Sequence, residues 1–216
     1  RIMQDTYKHK GMRKHLINEL REKGISDENV LDAFDKVPRH FFLDKIFEKQ
    51  AYSNMAFRIG AEQTISHPFT VTFQTQLLEI KKTDKVLEIG TGSGFQTAVL
   101  CELGCKVFSI ERQKELFVKT KPFLSKLGYR PTLKFGDGFI GWNAYGPFDK
   151  IIITCGAPHI PEMLVEQLKP GGRMIIPVGE GETQEMILIL KNEDGECDIY
   201  KKGVFSFVPM LKDTNK

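Results

Sequence analysis

Val86–Gly94 reads V-L-E-I-G-T-G-S-G, and the helical pattern of Phe95–Leu103 follows at once. Three apolar residues interrupted by one acid predict a short buried strand, and glycines at alternate positions end it. A strand that enters a glycine turn and opens a helix is the cofactor-binding arrangement of open α/β sheets. Lacking a Cβ, the glycines let the backbone turn tightly and come close to a ligand.

Spacing narrows the ligand. The dinucleotide fingerprint G-x-G-x-x-G/A seats a pyrophosphate on the helix N-terminus. Here Gly90, Gly92 and Gly94 form G-x-G-x-G, and Phe95 stands where the last small residue would be. Glu88, two positions before the first glycine, is expected to hold a carboxylate close to the turn. That suits a cationic, amine-bearing ligand better than a pyrophosphate. S-adenosylmethionine, with its ammonium and sulfonium, is such a ligand.

Strand and helix alternate on either side of the motif. Strands are predicted over Lys85–Ile89, Lys106–Ile110, Thr132–Phe135, Lys150–Thr154 and, after a Gly171–Gly172 turn, Arg173–Val178. Pro122–Leu127 closes one intervening helix and Glu162–Leu168 forms a short one. Met186–Leu190 and Asp198–Phe207 alternate as a closing hairpin around Asn192–Gly195. The expectation is an α/β fold, a doubly wound, mostly parallel, Rossmann-like sheet with an antiparallel C-terminal hairpin.

The N-terminal third reads differently. Helices are predicted over His9–Lys23 and, capped by Ser26, through Val37, which Pro38 cannot continue. Asp44–Gly60 mixes helix and irregular structure, with Tyr52 and Phe57 as anchors. Pro68 suits the first turn of a further helix, with Phe69, Phe73, Leu77 and Ile80 as its apolar stripe. Residues 1–82 are therefore expected to form a helical extension carrying the substrate segment, and 83–216 the cofactor-binding core.

Composition removes other classes. With 216 residues, 41% of them apolar, one substantial core is expected. The apolar runs fall short of the ~20 residues that span a bilayer. No signal-peptide pattern opens the chain, and Arg1 and Ile2, ahead of Met3, read as a remnant outside the fold. Four cysteines without metal-ligand spacing suggest reduced thiols in a cytoplasmic protein and no metal. A net charge of +3 with dispersed lysines gives no footprint for nucleic acid. Nothing in the pattern suggests a dimer, so a monomer is expected.

Ligands of such sheets lie at the carboxyl ends of the strands. Glu111 ends the second strand 17 residues past Gly94, about the spacing at which an acid meets a ribose. Asp137, in G-D-G with Gly138, is expected to accept from an exocyclic adenine amine. Ser66 sits at the N-terminal mouth of the helix begun by Pro68, and two readings stay open there. It is either an N-cap or part of an anion site made with free N–H groups. Asp149 reads as a surface or capping residue, His159 as structural, and Cys155 as a small buried residue with no histidine partner.

Assembled, the chain resembles the protein-L-isoaspartate O-methyltransferases. The shared segments are V-P-R-H-F-F at Val37–Phe42, Q-T-I-S-H-P at Gln63–Pro68, and V-L-E-I-G-T-G-S-G-F-Q-T-A at Val86–Ala98. They continue with G-D-G at Gly136–Gly138, P-F-D-K-I-I-I-T at Pro147–Thr154, G-G-R-M-I-I-P-V-G at Gly171–Gly179, and F-V-P-M at Phe207–Met210. The resemblance implies a class I S-adenosylmethionine-dependent methyltransferase acting on the free carboxyl of isoaspartyl residues in damaged proteins and peptides. It implies Ser66 at the active site, and Gln63, Thr64 and Ile65 beside the cofactor with Glu88, Glu111 and Asp137. Thr70 and Cys155–Gly156 depart from the family's pattern and bear on the pocket's contour.

Two rivals remain. A methyltransferase for RNA or small molecules is disfavoured by T-C-G-A-P-H after the fourth strand, where amino-nitrogen methylation commonly uses N/D-P-P-Y. A non-catalytic cofactor-binding module is disfavoured by the intact glycine turn, acids and Ser66.

Overall fold

Helix α1 (Tyr7–Glu22) starts at Thr6, whose hydroxyl accepts from the His9 N–H while the His9 ring returns to the Thr6 N–H. Its apolar stripe, Leu16, Ile17 and Leu20, is buried as the spacing predicts. Helix α2 (Glu28–Lys36) is capped by Asp27, not Ser26: Asp27 accepts from Asn29 N at 3.0 Å and Val30 N at 3.3 Å. Aspartate caps as well as serine, and the Ser26 N–H is turned to Gln76 Oε1, 2.8 Å away. The computed structural model describes residues 3–216; Arg1 and Ile2 lie outside the described residues.

Past Pro38 the chain forms two short 3-10 helices, Arg39–Phe42 and Lys45–Gln50, and buries Tyr52 and Phe57 as anchors. It then makes a hairpin that the pattern does not announce, β1 (Phe57–Gly60) with β2 (Gln63–Ile65). Its tip puts Ala61 (φ 48°) and Glu62 (φ 56°) in the left-handed region, where hairpins normally use Asn-Gly.

Helix α3 (Pro68–Leu78) has Pro68 in its first turn, but its buried face differs from the predicted stripe. Thr70, Val71, Thr72, Gln74, Thr75 and Leu78 are buried, and Phe69, Phe73, Leu77 and Ile80 only half so. Hydroxyl groups are affordable inside because Thr72 and Thr75 donate to Pro68 O and Val71 O one turn back, and Gln74 donates to Ile153 O.

The sheet follows: β3 (Lys85–Ile89), α4 (Phe95–Glu102), β4 (Lys106–Glu111), α5 (Lys114–Lys126), β5 (Thr132–Phe135), β6 (Phe148–Ile153), α6 (Glu162–Glu166), β7 (Leu168–Val178), β8 (Gln184–Lys191) and β9 (Cys197–Phe205). Strand order is β5-β4-β3-β6-β7-β8-β9, parallel through β7 and antiparallel for the last two pairings. The expected architecture is present. One boundary moves: β7 begins at Leu168, so Gly171–Gly172 is an irregularity inside a strand, not a turn before it. A Cβ on Gly172 would lie 2.8 Å from Asp149 O and Lys169 O, so only glycine fits.

Strand order reverses between β3 and β6, and there a ligand crevice opens at the strands' carboxyl ends. One apolar cluster joins α1 and α2 to Phe95, Ala98 and Val99 of α4 and Leu124 of α5. It crosses the boundary at 82/83, so the N-terminal third shares a core with the sheet's helices. Two more clusters fill the sheet's faces. Among the described residues no helix is long and apolar enough to cross a membrane.

Candidate active site

The crevice holds a cleft whose empty space, its open mouth and the solvent in it included, is about 830 Å³. Gln63, Thr64, Ile65 and Ser66 form one wall, and the turn from Ile89 to Ser93 forms the floor. Glu111, Gly138 and Val208–Leu211 complete the surround. The segment Gln63–Ser66, far from the glycine turn in sequence, thus meets it across one cleft.

The three glycines differ in role. Gly90 (φ 98°) and Gly92 (φ 56°) line the cleft, and a Cβ on Gly90 would stand 2.8 Å from Thr154 Oγ1. Gly94 faces the other way: its Cβ would meet Thr120 Cγ2 at 2.9 Å and Leu124 at 3.0 Å, so it permits α5 to pack on the turn. It lies outside the cleft lining.

Glu111 lies in the cleft wall with both oxygens engaged, Oε2 accepting from Gly92 N and Oε1 from Gln113 N, each at 2.8 Å. Burial raises its pKa. A carboxylate has about four acceptor sites, so it can brace the turn and still take ligand hydroxyls.

Glu88 is elsewhere. It is fully buried beneath the turn, with Oε1 accepting from Thr97 Oγ1 at 2.5 Å and Ser109 Oγ at 2.6 Å. Because Ser109 gives its one proton to Glu88, the Thr91 hydroxyl, 2.6 Å from Ser109 Oγ, is the donor in that pair. Glu88 therefore supports the turn from below, outside the cleft lining. Burial pushes its pKa up to about 7.

That shift carries a sign. The folded pKa lies above the unfolded value of 4.5, so the native state holds the extra proton. Stability is greatest below pH 4.5 and is lost as pH rises through about 7. The loss is on the order of 3 kcal/mol, at 1.36 kcal/mol per pKa unit. Glu88→Gln keeps the acceptor without the charge. Its melting temperature is expected to exceed that of the unmodified protein by roughly 5 °C or more at pH 8.5. The gap should shrink towards pH 5; a constant gap across melting curves would show that Glu88 does not titrate.

Asp137 is engaged within the chain. Its Oδ1 accepts from Phe139 N at 2.8 Å and its Oδ2 from Asp213 N at 2.9 Å, and it lies outside the lining that its neighbour Gly138 joins. It ties down the C-terminal tail. That tail is the wall that pattern reading missed, although F-V-P-M lay within it. Gly156 N donates to Val208 O at 2.7 Å, and Met210 N to Gly156 O at 2.8 Å. Asn215 Nδ2 reaches Gln113 Oε1 at 2.7 Å.

Ser66 is half-buried in the cleft wall and is not the N-cap of α3; His67 takes that position. The helix mouth is poorer in donors than an anion site requires. Pro68 has no N–H, and the Phe69 N–H donates to Asn54 Oδ1 at 3.0 Å. Cys155 lines the cleft instead of being packed away, its thiol pushed up to about 12 by burial. Thr70 is buried outside the lining and leaves the contour alone. His159 is exposed, and Asp149 accepts from the Lys85 N–H, as a cap does.

The lining fits a ligand with hydroxyls and a cationic centre better than a pyrophosphate. Its one carboxylate is Glu111, and its guanidinium, Arg112, is committed to Asp213 O at 3.0 Å. With the parallel sheet, its reversal beside β3 and the two antiparallel closing strands, these features define a class I S-adenosylmethionine-dependent methyltransferase. The model of the family described as Protein-L-isoaspartate(D-aspartate) O-methyltransferase matches residues 11–215. A Christiangramia forsetii protein named Protein-L-isoaspartate O-methyltransferase is 58% identical over 214 residues, covering 99% of this chain and 100% of the relative. One of the same name from Flavobacterium psychrophilum is 56% identical over the same lengths. The chain belongs to the protein-L-isoaspartate O-methyltransferase family, and its activity is the S-adenosylmethionine-dependent methyl transfer of that family.

Solved structures agree on the fold. One named protein-L-isoaspartate O-methyltransferase superposes with a TM-score of 0.82 at 28% identity, over 91% of this chain and 65% of that longer one. A Plasmodium falciparum protein of that description, in complex with S-adenosyl-L-homocysteine, gives 0.78 at 24% identity, over 93% and 99%.

Proposed function

We propose that Ser66 orients the free carboxyl of an L-isoaspartyl residue at the end of the cleft, and that Gln63–Ile65, Gly90, Gly92, Glu111 and Gly138 hold the cofactor. The observation that carries this reading is the single cleft shared by Gln63–Ser66 and the glycine turn. Bound there, S-adenosylmethionine supplies a methyl group on a positively charged sulfur. Glu111 accepts from ribose hydroxyls while it braces Gly92.

An isoaspartyl carboxyl is an α-carboxyl, with a free pKa of ~3.3–3.7, and is ionised at neutral pH. No residue of the chain has to remove a proton from it. The protein's task is orientation, which is able to supply roughly 7–11 kcal/mol of a barrier. The Ser66 hydroxyl fixes the oxygen without neutralising it, since strong stabilisation would blunt its attack. The product ester closes to a succinimide without further help, and partial reopening to aspartate makes the reaction a repair.

The direct test offers S-adenosylmethionine with a labelled methyl and two peptides identical except for isoaspartate or aspartate. Base-labile label on the isoaspartyl peptide alone is the expected result. Label on neither peptide, with cofactor bound, would return the substrate to RNA or small molecules.

The tail's part is separately testable. A chain ending at Phe207 loses Val208–Leu211 from the cleft wall and is expected to bind S-adenosylhomocysteine at least tenfold more weakly by calorimetry. Unchanged affinity would mean that the wall touches no part of the cofactor.

The division of labour is uneven: 1–82 brings the substrate segment and, through Gln63–Ile65, one wall of the cofactor site, and 83–216 brings the rest of that site. We take the protein to act as a monomer in the cytoplasm on isoaspartyl peptides and proteins. The edge strand β9 supports the first point, because it bulges opposite Met186, where it carries Lys202 and Gly203, with Lys201 paired next to the bulge. Such a bulged, lysine-bearing edge resists pairing with a second sheet. Four unpaired thiols suit a reducing compartment.

A further inference from the structure

Arg39 lies directly behind Ser66, and among the described residues it is the largest side chain with no exposure at all. Its Nη2 donates to Ser66 O at 2.9 Å and Met55 O at 3.0 Å, and its guanidinium sits 4.9 Å from the centre of the Phe95 ring. Nε and Nη1 are buried with no partner. No carboxylate balances it among the described residues; Tyr52 alone favours its charged form.

A buried guanidinium ordinarily has a counter-ion, because desolvation penalises the charge heavily. Burial draws the pKa of Arg39 down to about 9, which still leaves it charged at neutral pH. Holding two carbonyls does not require that charge, since a neutral amide donor would do so. What the charge adds is a positive potential at Ser66 itself, applied 2.9 Å from its backbone carbonyl oxygen, in an interior that screens little. The mouth of α3 is a weak source of such a potential, with Pro68 lacking an N–H and the Phe69 N–H engaged.

The reaction changes charge at this position: the substrate carboxyl is an anion and the methyl ester is neutral. We propose that Arg39 is a positioning residue whose unbalanced charge, acting through the Ser66 segment, selects the ionised isoaspartyl carboxyl over its neutral ester. The substrate thereby supplies the missing counter-ion, and methylation removes it, which favours product release. This inference rests on the reading of Ser66 as the carboxyl's partner.

The test uses Arg39→Gln, which keeps a donor and loses the charge, and Arg39→Lys, which keeps the charge and loses the fork. Binding of an isoaspartyl peptide is compared with that of the same peptide with the isoaspartyl carboxyl amidated, a stable neutral stand-in for the ester. Both are measured with S-adenosylhomocysteine bound, whose own affinity reports on the cofactor pocket.

The unmodified protein is expected to prefer the carboxylate peptide at least tenfold. In Arg39→Gln the preference should fall to near unity, with the affinity of the amidated peptide kept within about twofold. In Arg39→Lys most of the preference should survive. Equal weakening of both peptides in Arg39→Gln, or an intact preference, would reduce Arg39 to a structural clamp and overturn the proposal. Should the glutamine variant fail to fold, the lysine variant decides alone: a retained preference supports the charge, and a lost one refutes it. If the unmodified protein binds cofactor but shows no preference, the placement of the carboxyl at Ser66 is what fails.

Discussion

Gly90→Ala is expected to weaken S-adenosylhomocysteine binding by at least a hundredfold, while Gly128→Ala leaves it unchanged. Both positions are left-handed, with φ of 98° and 92°, so alanine brings strain of about 1–3 kcal/mol to each. Only Gly90 is crowded. Its new Cβ would stand 2.8 Å from Thr154 Oγ1, whereas nothing lies within 4 Å of one on Gly128. The Thr154 hydroxyl cannot step aside freely, because it donates to Ile89 O and Gly90 O, both at 3.0 Å. The turn itself has to move into the cleft it lines. A hundredfold corresponds to about 2.8 kcal/mol, a size that strain and lost contacts readily reach together. Both variants should melt a few degrees lower. Calorimetric affinities that fall equally in the two variants would show that backbone strain acts without the cleft.

The contrast between those glycines explains what was legible. The strand, turn and helix at Val86–Gly94 are local, so a short apolar run and closely spaced glycines announce them without help from the rest of the chain. The strands of the sheet and the closing hairpin are read in the same way. Side-chain direction is another matter. Glu88 alternates with Leu87 and Ile89, which fill one face of the sheet, and so shares the opposite face with Val86. Its partner Ser109 is set by strand pairing, which spacing alone does not provide. Gly94 serves α5, and the need for a glycine there comes from Thr120 and Leu124.

Parts of the site built by distant chain were less legible still. The hairpin β1–β2 has no turn signal, because Ala61 and Glu62 are held in a conformation that their side chains do not favour. Asp137 follows a strand, but spacing does not show what its oxygens meet within the chain, Phe139 N and Asp213 N, the second far along the chain. The Gln63–Ser66 segment, which lines the cleft, is assigned a site role through the family's motif, not through spacing. A motif of that kind records a long-range meeting that a single local pattern does not reveal.

Ser66→Ala separates the two readings of that motif. A serine that capped α3 would, on removal, lower stability by about 0.5–2 kcal/mol. The fold argues for a smaller change. His67 occupies the cap position, and among the described residues the side-chain hydrogen bond reaching Ser66 is that of Arg39 to its carbonyl, which alanine keeps. Melting temperature and S-adenosylhomocysteine affinity should therefore hold, the latter within about twofold. Turnover should not. A hydrogen bond to a charged group contributes about 1.5–3 kcal/mol, so kcat/KM on an isoaspartyl peptide is expected to fall roughly 10- to 100-fold. Part of that loss should appear in kcat, because a misdirected oxygen attacks less well even when bound. Ser66→Thr, which keeps the hydroxyl, should recover part of the rate. If rate and cofactor affinity fell together with melting temperature, the helix mouth would have collapsed, and Ser66 would be a structural residue.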